Sequence, residues 1–323
     1  MLAGGVYQPP RALVREQALA ACEAELAARV GAPLDADASL LTGERVPSVE
    51  QSRVLLRHGS GETFWNGLTI TGKIEARGRF LAEAEFPDLQ QFIVEDISEM
   101  AIGHLNTGLL KAHGVDEGGW PGQATDAQGA HDVMWFVARD LAFGEGAYPD
   151  TTPPDNIARP EAGRRWMPEV SPAVEGMFSF LMNLLVIEFR AEIGFASSQK
   201  ILRTPDLFVD RREQAEEAAE LIGRILTDEE IHVRSLRLYL GEMASVTFRA
   251  VDGGTIPGRE LIDRYWADLV RWATVAQPPL AARQSREAIE KLVRARAATG
   301  ALGAGQVLAD FAAAAADRDT PAA

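Results

Sequence analysis

The chain has 323 residues, of which 46% are hydrophobic and 24% are charged, which is the composition of an ordinary soluble globular protein. Its 47 acidic and 32 basic side chains give a formal net charge of −15, which argues against a protein that binds a nucleic acid backbone. The single cysteine, Cys22, excludes a disulfide within one chain and any cluster held by several cysteines.

The N-terminal part of the chain carries little regular patterning beyond its first helix. Spaced apolar residues predict a helix over about 11–30. Residues 31–85 have poor periodicity and scattered glycine and proline, with a short strand pair expected around Thr63–Thr71. We therefore expect residues 1–85 to form an N-terminal helix and an irregular cover without an assigned function.

Four helices are predicted between residues 86 and 249. The first begins near Pro87, which suits the first turn of a helix, and it ends near His113 because Gly114 follows. The other three are expected over about 124–143, 173–203 and 211–249. A long proline-rich connection separates the second helix from the third. Two helix pairs joined by one long crossover are typical of a helical bundle.

The remaining chain, 250–323, is expected to contain C-terminal helices over about 258–276 and 281–298 and an alanine-rich tail. The longest apolar stretch, Met177 to Ile187, is shorter than the roughly 20 residues that a membrane span needs. The N-terminus has neither the basic nor the apolar region of a signal peptide. We therefore expect a cytoplasmic protein with no membrane span and no nucleic-acid partner, and a homodimer stays open.

Helical-wheel geometry places three glutamates on apolar helix faces. Glu229 lies at the centre of the apolar stripe of the helix over 211–249, and His232 lies at the edge of that stripe. Glu188 and Glu192, one turn apart, share the apolar face of the preceding helix. An ionised carboxylate in such a face costs several kcal/mol unless it is paired or bound to a cation. A salt bridge to a buried basic residue is one explanation, and a metal held by carboxylates and imidazole, as for iron or manganese, is the other.

Glu229-Glu230-Ile231-His232 is a Glu-x-x-His motif on a predicted bundle helix, and an inward glutamate precedes it on the partner helix. It resembles the C-terminal half-site of the ferritin-like di-iron carboxylate superfamily, where each half supplies one Glu and one Glu-x-x-His. The stretch from Glu192 to Asp228-Glu229-x-x-His232 is also similar to a signature of bacterial di-iron oxidases and oxygenases. The resemblance covers about 86–249 and implies an all-α, ferritin-like four-helix bundle with a long crossover and extra flanking helices.

The first two bundle helices depart from the family pattern, because neither contains a Glu-x-x-His motif. His104 and His131 are predicted to face the core where the family usually has two glutamates and a histidine. Glu99 falls on the polar face of its helix, and an alternative keeps it as a ligand together with Gln128 and His131. For each histidine taken singly, a core histidine satisfied by hydrogen bonds is the other interpretation.

The sequence thus predicts a metal site formed by Glu188, Glu192, Glu229, His232, His104, His131 and Glu99. The resemblance implies one or two ions of iron, with manganese as the alternative, and oxidase or oxygenase chemistry on an unidentified small organic substrate with dioxygen. Because histidines replace carboxylates in the first half, we expect either one ion or two unequal positions. Two other hypotheses stay open: a non-catalytic bundle with a degenerate metal site that serves binding, and a haem protein with His104 and His131 as axial ligands.

Overall fold

The computed structural model describes residues 2–3, 6–7, 12–29, 31–41, 43, 45–119, 129–160, 163–298 and 303–314. The described chain is mostly helical, as predicted. Its α-helices are α1 (Ala12–Ala28), α2 (Val49–Arg57), α3 (Glu62–Gly78), α4 (Phe80–Glu83), α5 (Leu109–Gly118), α6 (His131–Phe143), α7 (Pro172–Leu202), α8 (Arg212–Ser245), α9 (Gly258–Arg271), α10 (Gln277–Ala298) and α11 (Ala304–Ala313). Two antiparallel hairpins add β1 (Leu2–Ala3) with β2 (Val6–Tyr7) and β3 (Thr247–Arg249) with β4 (Thr255–Pro257).

The two longest helices, α7 and α8, pack against each other and confirm the helices predicted over 173–203 and 211–249. The Ser171 hydroxyl accepts the backbone N–H of Val174, and Pro172 occupies the first turn, so this sequence starts α7 in the expected way. Helix α6 packs on both α3 and α8, and α5 contacts α3, α6 and α8.

The length and composition of α7 would allow it to cross a membrane, with a mean hydropathy of 1.4 in its most apolar window. In the protein, however, 61% of that window is buried by neighbouring parts of the chain. No other helix in the described ranges meets the same criteria. The apolar character of α7 is therefore accounted for by its packing inside the protein.

Two hydrophobic clusters meet along α7 and α8. The first includes Leu181 of α7 and Leu236 of α8, together with residues of α1 and α9. The second includes Phe195 of α7 and Ile222 of α8, together with Trp135 of α6. Along α8, Glu229 lies between the two clusters, and along α7, Glu188 lies near the end of the first cluster.

Residues 86–108 do not form the predicted helix, and only two short 3-10 turns occur in this segment. Its backbone instead adds to the C-terminal hairpin, where Ile93 pairs with Phe248 and the N–H of Val94 donates to the Thr247 carbonyl. The apolar residues of the segment are still buried, Ile93 among them. The prediction that apolar residues about four positions apart are buried was therefore correct, but such spacing does not require a helix.

The irregular structure and the strand pair predicted within 31–85 are also wrong, because this region contains α2 and α3. The stretch Thr63–Thr71 lies inside α3, where tertiary packing overrides the strand preference of its threonines. A Cβ atom at Gly72 would lie 3.0 Å from side-chain atoms of Trp135 and Phe136, so this glycine allows α3 to approach α6 closely.

Glu242, near the end of α8, holds the irregular segment in place. Its carboxylate accepts the backbone N–H groups of Ala101 at 3.0 Å and Ile102 at 2.9 Å. Burial raises the pKa of Glu242 to about 7, although these two hydrogen bonds act in the opposite direction.

We expect Glu242→Gln to reveal this shift as a change in stability with pH. A carboxyl whose pKa is raised on folding binds more protons in the folded state, so its contribution is complete below about 4.5 and is lost as the pH rises to about 7. The free energy of unfolding of wild type, measured relative to that of Glu242→Gln, should therefore fall by up to about 3 kcal/mol between pH 5 and pH 8. Urea unfolding at the two pH values measures this, and a difference that grows with pH would contradict it.

Candidate metal centre

Charged side chains from α3, α5, α6, α7 and α8 converge on one buried region of the described chain. Each of these side chains belongs to a residue that is at most 7% exposed. They are Glu75 of α3, His113 and Glu117 of α5, His131 of α6, Glu188 of α7, and Glu229 and His232 of α8. Buried charged groups of this kind need partners, because desolvation otherwise makes them costly.

The donor atoms form two groups, and within each group one atom per residue lies within 4.8 Å of the others. The first group is His113, Glu117, Glu188 and His232, and the second is Glu75, Glu117, His131 and Glu229. Glu117 belongs to both, so cations in the two groups would be neighbours joined by its carboxylate. The two positions are unequal, since one offers two imidazoles and two carboxylates and the other offers one imidazole and three carboxylates.

Several donor atoms of the two groups face one another without forming hydrogen bonds. The Nδ1 atom of His131 lies 3.2 Å from Oε1 of Glu229 and 3.4 Å from Oε2 of Glu75. The Nε2 atom of His113 lies 3.2 Å from Oε1 of Glu188. Yet none of these nitrogens, nor Oε2 of Glu75 or Oε1 of Glu229, has a hydrogen-bond partner among the described residues. Unsatisfied buried polar atoms are rare in proteins, and several of them aimed at one region could hold a cation.

Two outer carboxylates orient two of the histidines. The Nε2 atom of His232 lies 3.2 Å from Oδ2 of Asp116, and the Nε2 atom of His131 lies 3.5 Å from Oδ2 of Asp228. Asp116 is held in turn by the guanidinium of Arg15, with Nη2 2.8 Å from Oδ1 and a second contact from Nη1. An N–H that donates to a carboxylate leaves Nδ1 of the same ring free to bind a metal.

Repulsion within the cluster raises the pKa of two of its glutamates. Burial and the charge of Glu117 raise the pKa of Glu75 well above its usual range. Burial and the charge of Glu229 raise the pKa of Glu188 to about 8, although His113 opposes the shift. Without a cation, these two carboxyls therefore retain protons that a metal ion would displace.

The histidines have the opposite effect on the other two glutamates. Burial alone would raise the pKa of Glu229, but the charge of His232 and the adjacent imidazole of His131 lower it to about 2. The adjacent imidazoles of His113 and His131 similarly outweigh burial and hold the pKa of Glu117 well below its usual range. The carboxylates in turn raise the pKa of His131 and His232 well above the usual range, against the effect of burial.

Of the residues predicted from sequence, Glu188, Glu229, His131 and His232 lie in the two groups. Glu192 does not, although it follows Glu188 by one turn of α7. It is half-buried, and burial together with the charges of Glu229 and Glu230 raises its pKa to about 7. Glu192 therefore lies close enough for the charges of the cluster to raise its pKa, but its carboxylate does not face the donor atoms.

The predicted inward position of His104 is wrong, and so is the alternative that keeps Glu99 as a ligand. Both residues are exposed, and Nε2 of His104 lies 2.8 Å from the Ser98 carbonyl oxygen. The helical wheel failed because this segment is not a helix. The surface position of His104 also removes the pair of core histidines on which the haem hypothesis depended, and the alternative ligand Gln128 lies outside the described residues.

Sequence reasoning missed Glu75, His113 and Glu117. His113 and Glu117 are four residues apart and so share one helix face, which is a usable signal, but Gly114 was interpreted as a helix end. The structure continues α5 through Gly114, where a Cβ atom would lie 2.3 Å from the backbone nitrogen of Ala82. Glycine is therefore required there for close packing and not for termination.

In comparisons with family models, curated proteins and solved structures, nothing matches this chain. The donor atoms themselves, through their types, their burial and their convergence, form the candidate metal centre.

Proposed function

We propose that the protein binds two metal ions, preferentially iron, in the two neighbouring groups and uses them as an oxidase or oxygenase. The observation that carries this proposal is the position of Glu117, whose carboxylate belongs to both buried groups. Nitrogen and oxygen donors without sulfur suit iron, with manganese as the alternative. Such ions, when bound, supply redox chemistry with dioxygen that no side chain of the cluster can provide.

We further infer that α3, α6, α7 and α8 act as the four helices of a ferritin-like bundle. Each of them contributes at least one donor, and the connection between α6 and α7 would be the long crossover. Helix α5 is an addition to that pattern and supplies the shared Glu117. The proposed first bundle helix is therefore α3 and not the segment after Pro87.

The chain's own residues have separable roles in this proposal. The four glutamates would offset the charge of two divalent cations, and Asp116 and Asp228 would fix the rings of His232 and His131. The hydrophobic clusters on both sides exclude water from the centre. A substrate would reach it through a cavity that has Glu75 in its wall.

Metal analysis of protein expressed with added iron tests the proposal. We expect two irons per chain, and faster consumption of dioxygen by the iron-loaded protein with a chemical reductant than by the chelated protein. Metal-free protein of full stability with no affinity for ferrous ion would contradict the proposal. Iron binding without oxygen consumption would favour the non-catalytic alternative.

A further inference from the structure

A cavity of about 340 Å³ lies between α3 and α7, next to the candidate metal centre. Its wall is mainly apolar and includes Phe64, Leu68, Ile74, Ile187 and Phe195. Glu75 also lines it, so one part of the wall belongs to the donor cluster. At about 30 Å³ for each water-sized group, the cavity holds a molecule of about eleven such groups. Cavities of this size and lining are typical of small-molecule sites.

Arg190 of α7 places a cation in this wall without a protein anion beside it. Its Nη1 atom donates to the Ile157 carbonyl at 3.1 Å, whereas its Nη2 atom is buried and has no hydrogen-bond partner in the described part of the chain. No carboxylate of the described ranges forms an ion pair with it, and its Cζ atom lies 5.2 Å from the centre of the Trp272 ring. A guanidinium in this position offers donors that match an anion from outside the protein.

Arg45 reaches the same part of the wall from the other side. Its Nη2 atom lies 3.6 Å from the position of a Cβ atom on Gly194, which is one turn from Arg190 along α7. Both arginines also line a second cavity of about 220 Å³, so they lie between it and the cavity at Glu75. Two guanidinium groups therefore lie at one boundary, in a protein whose net charge is −15.

We infer that the substrate of this centre is a small, mainly apolar carboxylate, held at its anionic end by Arg190 and Arg45. Its apolar body would fill the cavity between α3 and α7 and extend toward Glu75. A planar guanidinium pairs with a carboxylate through two parallel hydrogen bonds, which gives both energy and orientation. The oxidation of this ligand rests on the proposed function, but its binding in the cavity does not.

Calorimetric titration with hexanoate, octanoate and benzoate, each compared with its neutral amide, tests the inference. We expect at least one acid to bind, and to bind more tightly than its amide, in both iron-loaded and chelated protein. Arg190→Gln should weaken binding of the acid by roughly 10- to 100-fold and leave the amide unchanged. Arg190→Lys should restore part of the loss. Arg294→Gln, at an exposed position on α10, is the control and should behave as wild type.

A second pair of variants tests the location. Gly194→Leu adds a side chain to the cavity wall, where the nearest neighbour of a Cβ atom is Arg45 at an ordinary contact distance. Gly176→Leu makes the same change on the exposed face of the same helix, where a Cβ atom meets nothing within 4 Å. We expect the first to abolish binding of the acid and the second to leave it unchanged, with equal melting temperatures showing that both fold.

The outcomes separate this inference from the proposed function. Binding that depends on Arg190 in a protein without iron-dependent oxygen consumption would support the cavity assignment and contradict the oxidase. Two irons per chain, with acids and amides that bind equally or not at all, would overturn the inference alone. Tight acid binding that is lost on chelation and unaffected by Arg190→Gln would mean that the metal holds the carboxylate, which also overturns it.

Discussion

Glu117→Gln is expected to remove both metal ions, whereas Glu75→Gln is expected to remove one. Glu117 is the residue that the two donor groups share, so its loss would leave each of the proposed cations without one anionic ligand. Glu75 belongs to the second group alone. Elemental analysis after gel filtration should give two irons per chain for wild type, at most a small fraction of one for Glu117→Gln, and about one for Glu75→Gln. Oxygen consumption should be lost in both variants, because the proposed chemistry needs both ions.

Glu192→Gln is the matched control for these variants. Glu192 is a half-buried glutamate one turn from Glu188 on α7, but its carboxylate belongs to neither group. It should therefore retain two irons and wild-type oxygen consumption. Two irons in Glu117→Gln would disprove the shared ligand, and loss of iron in Glu192→Gln would restore Glu192 to the ligand set predicted from sequence.

The sequence predicted the second half of the candidate site because that half lies on two long, regular helices. On α7 and α8, a periodicity of 3.6 residues relates every side chain to the core, so Glu188, Glu229 and His232 were identified from spacing alone. The cost of burying these carboxylates is also evident from their own helices, because a carboxylate in the middle of an apolar stripe needs a compensating group wherever that group comes from.

The first half could not be predicted in the same way, because its structure depends on distant contacts. Residues 86–108 take their shape from pairing with β3, which lies about 150 positions later in sequence. Helix α3 contains Gly67 and Gly72 together with several threonines, so its propensity is weak and its packing on α6 decides its conformation. The periodicity of the sequence therefore did not identify Glu75, although this residue lies in a helix.

The salt-bridge explanation does not hold for the carboxylates of the two donor groups. Asp116 is paired with Arg15, and this pair lies behind His232, outside the donor groups. Glu75, Glu117, Glu188 and Glu229 contact no arginine or lysine within ion-pair distance among the described residues, and their charged neighbours are histidines. A histidine can lose its proton, so this cluster can exchange protons for metal ions in a way that arginine pairs cannot.

Glu229→Gln tests whether Glu229 binds a metal ion, through the stability that bound metal confers on the folded protein. Binding at about 1,000 times the dissociation constant stabilises a folded protein by about 4 kcal/mol per site, so two sites give wild type about 8 kcal/mol. Glu229 is fully buried and contacts His131 at 3.2 Å and His232 at 3.0 Å. Removing its charge weakens the second position directly, so about half of the metal-dependent gain should disappear. Glu230→Gln changes the exposed neighbouring glutamate and should retain all of it.

The same variant in chelator at pH 8 distinguishes a metal ligand from a structural ion-pair partner. If Glu229 neutralised a fixed buried cation, its replacement would strand that charge and destabilise the fold by roughly 3–5 kcal/mol, with or without metal. Its partners are histidines, and Glu229 is one of the carboxylates that raise their pKa, so its removal lets the rings release protons and strands no fixed positive charge. Chelated Glu229→Gln should therefore lose clearly less than 3 kcal/mol relative to chelated wild type in urea unfolding. A loss of 3–5 kcal/mol that is identical with and without iron would count decisively against a metal at this position.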